Sequence, residues 1–220
     1  MKKVIIAGGT GMVGGVVLQA CLDSAEVEKV TSIVRKPSGV QHTKLNEIIH
    51  PDFTDYTNLT AHFKDVDAAY FCIGVYTGQV PDAQFKMITV DFAAAFGDAV
   101  KNGSDRATFC LLSGAGADSE EKSRVAFAKY KGMAENYLIR LGFAGLHIFR
   151  PAYIYPVEPR NEPNLMYRIS RKLYPLLKNI YSAGVITSEE LGQAIFKGGM
   201  YGAPKTILEN VEIKQFLAGK

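Results

Sequence analysis

Near the N-terminus, Ile5-Ile6-Ala7-Gly8-Gly9-Thr10-Gly11-Met12-Val13-Gly14-Gly15 carries an apolar strand into a glycine turn and out again as a helix. Two glycine registers overlap in this stretch. Gly9, Gly11 and Gly14 fit Gly-x-Gly-x-x-Gly, while Gly8, Gly11 and Gly14 fit the wider Gly-x-x-Gly-x-x-Gly. Without β-carbons the backbone can turn tightly, approach a pyrophosphate and pack helix against strand, while the helix start offers unpaired N–H groups to an anion. A strand before the turn (Lys3 to Ala7) and an apolar helix after it (Val13, Val16, Val17, Ala20, Cys21) supply the context that such a motif requires. A plain strand-to-helix turn is the bland alternative. The favoured reading is a dinucleotide cradle built from Gly8, Thr10, Gly11, Met12, Val13 and Gly14.

A chain of 220 residues is long enough to bury a substantial core as one α/β domain. The expected organisation is a dinucleotide-binding core over residues 1–155 and a C-terminal extension over 156–220 that forms part of the substrate side. A net charge of +3 is too mild to argue for a nucleic-acid partner, and no apolar run is long enough for a membrane span. Cys21, Cys72 and Cys110 sit in apolar runs and are odd in number, which fits a reducing, cytoplasmic setting better than a disulfide framework. The four histidines lack metal-ligand spacing, so a metal site is not expected.

Downstream, strands and helices alternate. Lys29 to Val34 reads as a second strand leaving on Arg35-Lys36-Pro37, and Asn46 to His50 as a third, closed by Pro51-Asp52-Phe53. In such folds a carboxylate about 20 residues past the glycines suits a ribose 2′-hydroxyl, whereas arginine suits a 2′-phosphate. Arg35 stands 21 positions after Gly14, with Lys36 behind it, so NADP(H) is favoured over NAD(H). Asp67 to Gly74 is nearly continuous in apolar residues, as expected of a strand covered on both faces, and Gly74 ends it where a ligand backbone could pass. A helix over Ala83 to Lys101, a strand over Ala107 to Ser113, a helix over Glu120 to Leu141 and a strand over Leu146 to Phe149 follow. This order predicts an α/β fold with a doubly wound parallel sheet flanked by helices.

After Tyr155 the pattern becomes a proline-rich loop, then a basic amphipathic helix carrying Leu165, Ile169, Leu173 and Leu177, kinked or ended by Pro175. Thr187-Ser188-Glu189-Glu190 has capping-box spacing and starts another helix. Thr206 to Glu209 and a short helix from Asn210 complete the pattern.

Several ordered motifs together resemble the atypical short-chain dehydrogenase/reductase family, in its Tat-interacting-protein-like branch. They are Gly8-Gly9-Thr10-Gly11-Met12-Val13-Gly14, Ile33-Val34-Arg35-Lys36, Phe71-Cys72-Ile73-Gly74, Leu111-Leu112-Ser113, Lys131-Gly132-Met133-Ala134-Glu135 and Phe149-Arg150-Pro151-Ala152. The resemblance implies a Rossmann-like sheet holding NADP(H), with adenine near Asp52 and Phe53, nicotinamide near Pro151 and Ala152, and Cys72, Ile73 and Gly74 along the cofactor. It further implies a catalytic serine followed by Tyr-x-x-x-Lys. Ser113 matches the serine and Lys131 the lysine, which would also bind the cofactor.

Residues four apart share a helix face, so a lysine can stabilise the ionised phenol of a tyrosine one turn earlier. Phe127 occupies that tyrosine position and has no proton to give. Tyr130 is the nearest substitute in sequence, but it points about 100° away around the helix. Three readings stand: a reductase with another donor such as Tyr130 or Tyr153, a cofactor-binding protein that has lost its chemistry, or a shifted register. The leading expectation is an NADP(H)-dependent oxidoreductase of an unidentified small carbonyl or related substrate. The alternative is a catalytically impaired, NADP(H)-binding regulatory protein with a protein partner or a second copy of itself.

Overall fold

The computed structural model describes residues 1–76, 78–157 and 182–219. Along the chain it forms β1 (Lys2–Ala7), α1 (Met12–Asp23), β2 (Val27–Val34), β3 (Leu45–Ile49), a 3-10 turn (Thr57–His62), β4 (Ala68–Phe71), α2 (Asp82–Lys86), α3 (Phe92–Gly103), β5 (Thr108–Leu112), α4 (Ala126–Arg140), β6 (Gly145–Arg150), β7 (Tyr153–Tyr155), β8 (Val185–Thr187), α5 (Ser188–Tyr201), β9 (Ile207–Glu209) and α6 (Asn210–Leu217). Seven strands make one sheet in the order β3-β2-β1-β4-β5-β6-β9, parallel throughout. The Rossmann-like, doubly wound architecture anticipated from the alternating pattern is therefore present.

Burial explains why the strands read as apolar runs. In β1, Val4 and Ile6 face one hydrophobic layer while Ile5 and Ala7 face the other, and all four are essentially inaccessible to solvent. Successive side chains of a strand point to opposite sides, so a sheet covered twice needs apolar residues at every position. The first layer is closed by Val13, Val17, Leu18 and Cys21 of α1 and by Leu191, Ala194 and Ile195 of α5. The second is closed by Phe96 and Val100 of α3 and Ala134 and Leu138 of α4, with Phe53, Tyr56 and Phe63 extending it as a run of edge-on rings.

Three elements depart from the sequence pattern. The helix expected from Ala83 is interrupted by a π-helical turn, Met87–Asp91, between α2 and α3. The helix expected from Glu120 starts only at Ala126, because the Asp118 carboxylate accepts the N–H groups of Glu120, Lys122 and Ser123 and holds this stretch in a turn. A short polar side chain that satisfies local backbone donors competes with the helix in this way. Finally, Tyr153–Tyr155 and Val185–Thr187 pair as a separate two-stranded parallel sheet.

The capping box at Thr187 is formed, with Glu190 N–H donating to Thr187 Oγ1 at 3.0 Å and Thr187 N–H donating to Glu190 Oε2 at 2.9 Å. The basic amphipathic helix anticipated around Ile169 to Lys178 lies outside the described residues. Beyond it the chain rejoins the main sheet, where β9 pairs with β6.

Candidate functional site

Strand order reverses direction across β1 and β4, and the loops leaving β1, β4, β5 and β6 open onto one cleft of about 400 Å³ at their carboxyl ends. Such a crevice is where open α/β sheets bind ligands. Gly11, Met12 and Val13 form one end; Cys72, Ile73 and Gly74 a wall; Leu112, Ser113 and Gly114 the floor at β5. Phe127 and Lys131 of α4 and Pro151, Ala152 and Tyr153 close the far end.

The turn at the near end depends on two absent side chains. Gly8 has φ +93°, and a β-carbon there would lie 2.7 Å from the Cys72 carbonyl carbon. At Gly14 a β-carbon would lie 2.1 Å from Gly8 O, a separation that no packed atom pair tolerates. Gly11 N–H donates to Gly8 O at 2.9 Å. The wider register, Gly8-x-x-Gly11-x-x-Gly14, is thus the one that shapes the turn. Helix α1, with Gly11 as its N-cap residue, has no side-chain cap and no acidic residue in its first turn, so its N–H groups are presented to the cleft without competition. These features fit a dinucleotide's pyrophosphate.

Other candidates fall in different places. Thr10, Arg35 and Lys36 are exposed, the two cations directly beyond β2, whose Ile33 pairs with Ala7 beside the glycine turn. Asp52 is exposed and accepts from both the N–H and hydroxyl of Thr54, which lowers its pKa; the side-chain bond is the larger cause. Phe53 is buried, its ring packed against Phe92 and Tyr56, so only its backbone is available to a ligand. Tyr130 does not line the cleft: its hydroxyl donates to Asp82 at 2.7 Å. The helical rotation that separates neighbouring residues has carried it toward α2, away from the residues that line the cleft.

Ser113 and Lys131 do meet at the cleft. Lys131 is half-buried, its Nζ donating to the Leu112 carbonyl at 3.3 Å. Burial pulls its pKa down to about 8, against an opposing pull from the Glu135 carboxylate one turn further along α4. The Ser113 hydroxyl donates to Glu135 Oε1. Glu135 is fully buried and is gripped by Arg150, whose Nε lies 3.1 Å from each carboxylate oxygen and whose Nη2 also bonds Oε2. Arg150 reaches on to Glu209 Oε1 at 3.1 Å and Ser119 Oγ at 2.9 Å. Charge-assisted, forked contacts of this kind fix geometry. The Glu135–Arg150 pair was missed as site machinery in the sequence; the i, i+4 spacing of Lys131 and Glu135 was the available signal.

Phe127 stands four residues before Lys131, with its ring against Gly114, where a β-carbon would come within 2.6 Å of Cζ. Phe127 and Lys131 line the same cleft one helical turn apart, and the side chain at 127 brings no hydroxyl to it.

A model of the NAD(P)H-binding family matches residues 8–154. The chain belongs to that family. This NAD(P)H-binding protein is 25% identical over 186 residues to rat protein HTATIP2, covering 83% of this chain and 74% of the relative. It is also 25% identical over 154 residues to the mitochondrial protein FMP52 of Meyerozyma guilliermondii, covering 69% of this chain and 65% of the relative, just under two thirds of that protein's length. These similarities bear out the resemblance to the atypical branch. Among solved structures, the fold of the NAD(P)H-binding chain matches a UDP-N-acetylglucosamine 4-epimerase from Methanobrevibacter ruminantium M1 with TM-score 0.70 at 20% identity, over 94% of this chain and 76% of that one. It matches Bordetella bronchiseptica WbmH, solved in complex with NAD+, with TM-score 0.71 at 18% identity, over 99% and 79%.

Proposed function

We propose that this protein is an NADP(H)-dependent oxidoreductase of the atypical short-chain type that acts on a small carbonyl or related compound. The observation that carries this reading is one continuous cleft, with an uncapped helix N-terminus and glycine turn at one end and Ser113 with Lys131 at the other. Gly11, Met12 and Val13 would hold the pyrophosphate, Arg35 and Lys36 the 2′-phosphate, and Pro151 and Ala152 the nicotinamide side. A bound dihydronicotinamide supplies a hydride. The chain's own part is to bind and orient that ring, to exclude water with Phe127, Cys72 and Ile73, and to manage a proton through groups around Lys131.

The preference for a 2′-phosphate rests on Arg35 and Lys36 standing exposed and without ion-pair partners among the described residues. Arginine matches phosphate as a forked donor. Titration calorimetry with NADPH and NADH tests both levels: NADPH should bind more tightly, and Arg35→Glu should weaken NADPH by at least tenfold while changing NADH little. Binding of neither nucleotide would remove the cofactor reading, and equal binding of both would remove the NADP(H) preference.

A second reading follows from Phe127: a protein that binds NADP(H) without using it and signals the cofactor's presence to a protein partner or a second copy of itself. Tight NADPH binding with no reduction of any carbonyl in a broad panel favours it. The proposal keeps the chain in the cytoplasm, although the fungal relative carries a mitochondrial designation; fractionation of the host cell tests this. No helix among the described residues is long and apolar enough to cross a membrane.

A further inference from the structure

We infer that Lys131 itself is the proton donor of this cleft, and that Ser113, with its proton given to Glu135, faces the cleft as a hydrogen-bond acceptor. The inference rests on the oxidoreductase reading above and deepens it. A hydroxyl has one proton. Ser113 spends it on a carboxylate that is fully buried and already fixed by Arg150, so this serine cannot at the same time polarise a substrate carbonyl.

Phe127 has no proton, and the Tyr130 hydroxyl is engaged with Asp82 outside the cleft. An ammonium has three N–H donors, and Lys131 commits one to Leu112 O, leaving two for the cleft and the groups bound in it. Burial brings its proton affinity close to the range in which a general acid works at neutral pH.

Several groups share this environment. Glu135 lies on Lys131's own helix; Ser113 leaves β5; Arg150 stands behind Glu135 at the end of β6; Tyr153 belongs to β7; and Cys72 and Tyr76 come from the chain after β4. Glu135 keeps Lys131 more basic, whereas burial makes it less so, and burial is the larger effect. In the proposed step the carbonyl carbon gains the hydride and the carbonyl π electrons move to oxygen. That oxygen forms its new O–H bond with a proton from Lys131 Nζ, which is left as a neutral amine and regains a proton from water. The substrate is reduced to an alcohol and the dihydronicotinamide is oxidised.

The test combines direct titration with single-turnover kinetics on the full chain. Reductive ¹³C-methylation, with Lys131→Arg to assign the signal, gives the Lys131 midpoint by NMR, expected near pH 8. With NADPH saturating, as established by calorimetry, single-turnover reduction of a carbonyl panel should fall about tenfold per pH unit above that same midpoint. Lys131→Met should lower the rate at least about 100-fold while NADPH still binds. Lys131→Arg should remove the falling limb from the accessible range, and it serves as the readout if the methionine variant does not fold.

Tyr153→Phe and Tyr76→Phe should retain the pH profile. A Lys131→Met protein that binds NADPH and reduces at the wild-type rate overturns the inference. So does a midpoint above pH 10, loss of the profile in either tyrosine variant, or a wild-type protein that binds NADPH and reduces nothing. Failure of the wild type to bind NADPH instead strikes the oxidoreductase reading itself.

Discussion

At position 127 a phenyl ring lies against Gly114, one helical turn before a half-buried lysine and beside a serine whose hydroxyl is already bonded. Cζ points at Gly114, so an oxygen added there requires the ring to swing away from that residue, which would then place a second acid at the far end of the cleft. Above about pH 8, where Lys131 loses its proton, Phe127→Tyr should therefore raise carbonyl reduction, within the roughly 10²–10⁴-fold range of a positioned general acid. Loss of nicotinamide absorbance at alkaline pH measures this, and an unchanged rate would show that the ring at 127 stays against Gly114 and does not bring its hydroxyl to the reacting atoms.

Ser113, Lys131 and the empty tyrosine position were legible from order and spacing alone, since one strand end and one helix carry all three. The Glu135–Arg150 pair was not. It joins a helix to a strand end across 15 residues, and only the packing of α4 on β6 tells which buried carboxylate meets which guanidinium.

Among elements, the glycine turn and α1 are the most tightly specified. Gly14→Ala would force a β-carbon into Gly8 O, so the turn must open or α1 must move off the sheet. Overpacking of this kind costs about 1–3 kcal/mol, and a displaced α1 no longer aims its N–H groups at a pyrophosphate. Thermal unfolding should show the destabilisation, and calorimetry should show NADPH binding weakened beyond what the stability loss accounts for. A stable variant with unaltered binding would mean that the close approach of Gly14 to Gly8 O does not shape the turn.

The main strands were readable because both faces of the sheet are covered, which turns burial into continuous apolar runs. Two other boundaries depended on particular contacts. Asp118 delays the start of α4 by binding three backbone N–H groups, and β7 pairs with β8, which lies far along the chain. Neither leaves a periodic trace in the sequence.

For the molecule as a whole, Cys21, Cys72 and Cys110 belong to one hydrophobic layer and are buried around the fully buried Tyr70. Burial pushes the Cys21 and Cys72 thiols up to about 12 and raises that of Cys110 well above its ordinary value. A thiol reacts as its thiolate, so all three should be inert toward an aromatic disulfide reagent in the native protein near neutral pH. In a urea series their labelling should rise in step with loss of far-ultraviolet circular dichroism, reporting a single cooperative transition. Fast labelling of Cys72 alone would instead show that the chain leaving β4 opens by itself.

Arg150 also clasps Glu209, at the end of the last strand to join the sheet. A ribosome delivers the glycine turn first and Glu209 nearly two hundred residues later. While the chain is still being made, the cradle for a nucleotide can exist, but Arg150 lacks its second carboxylate until β9 docks. Nucleotide capture can thus precede the completed Arg150 clasp during synthesis, giving a nascent chain a ligand to fold around before its last strand has docked.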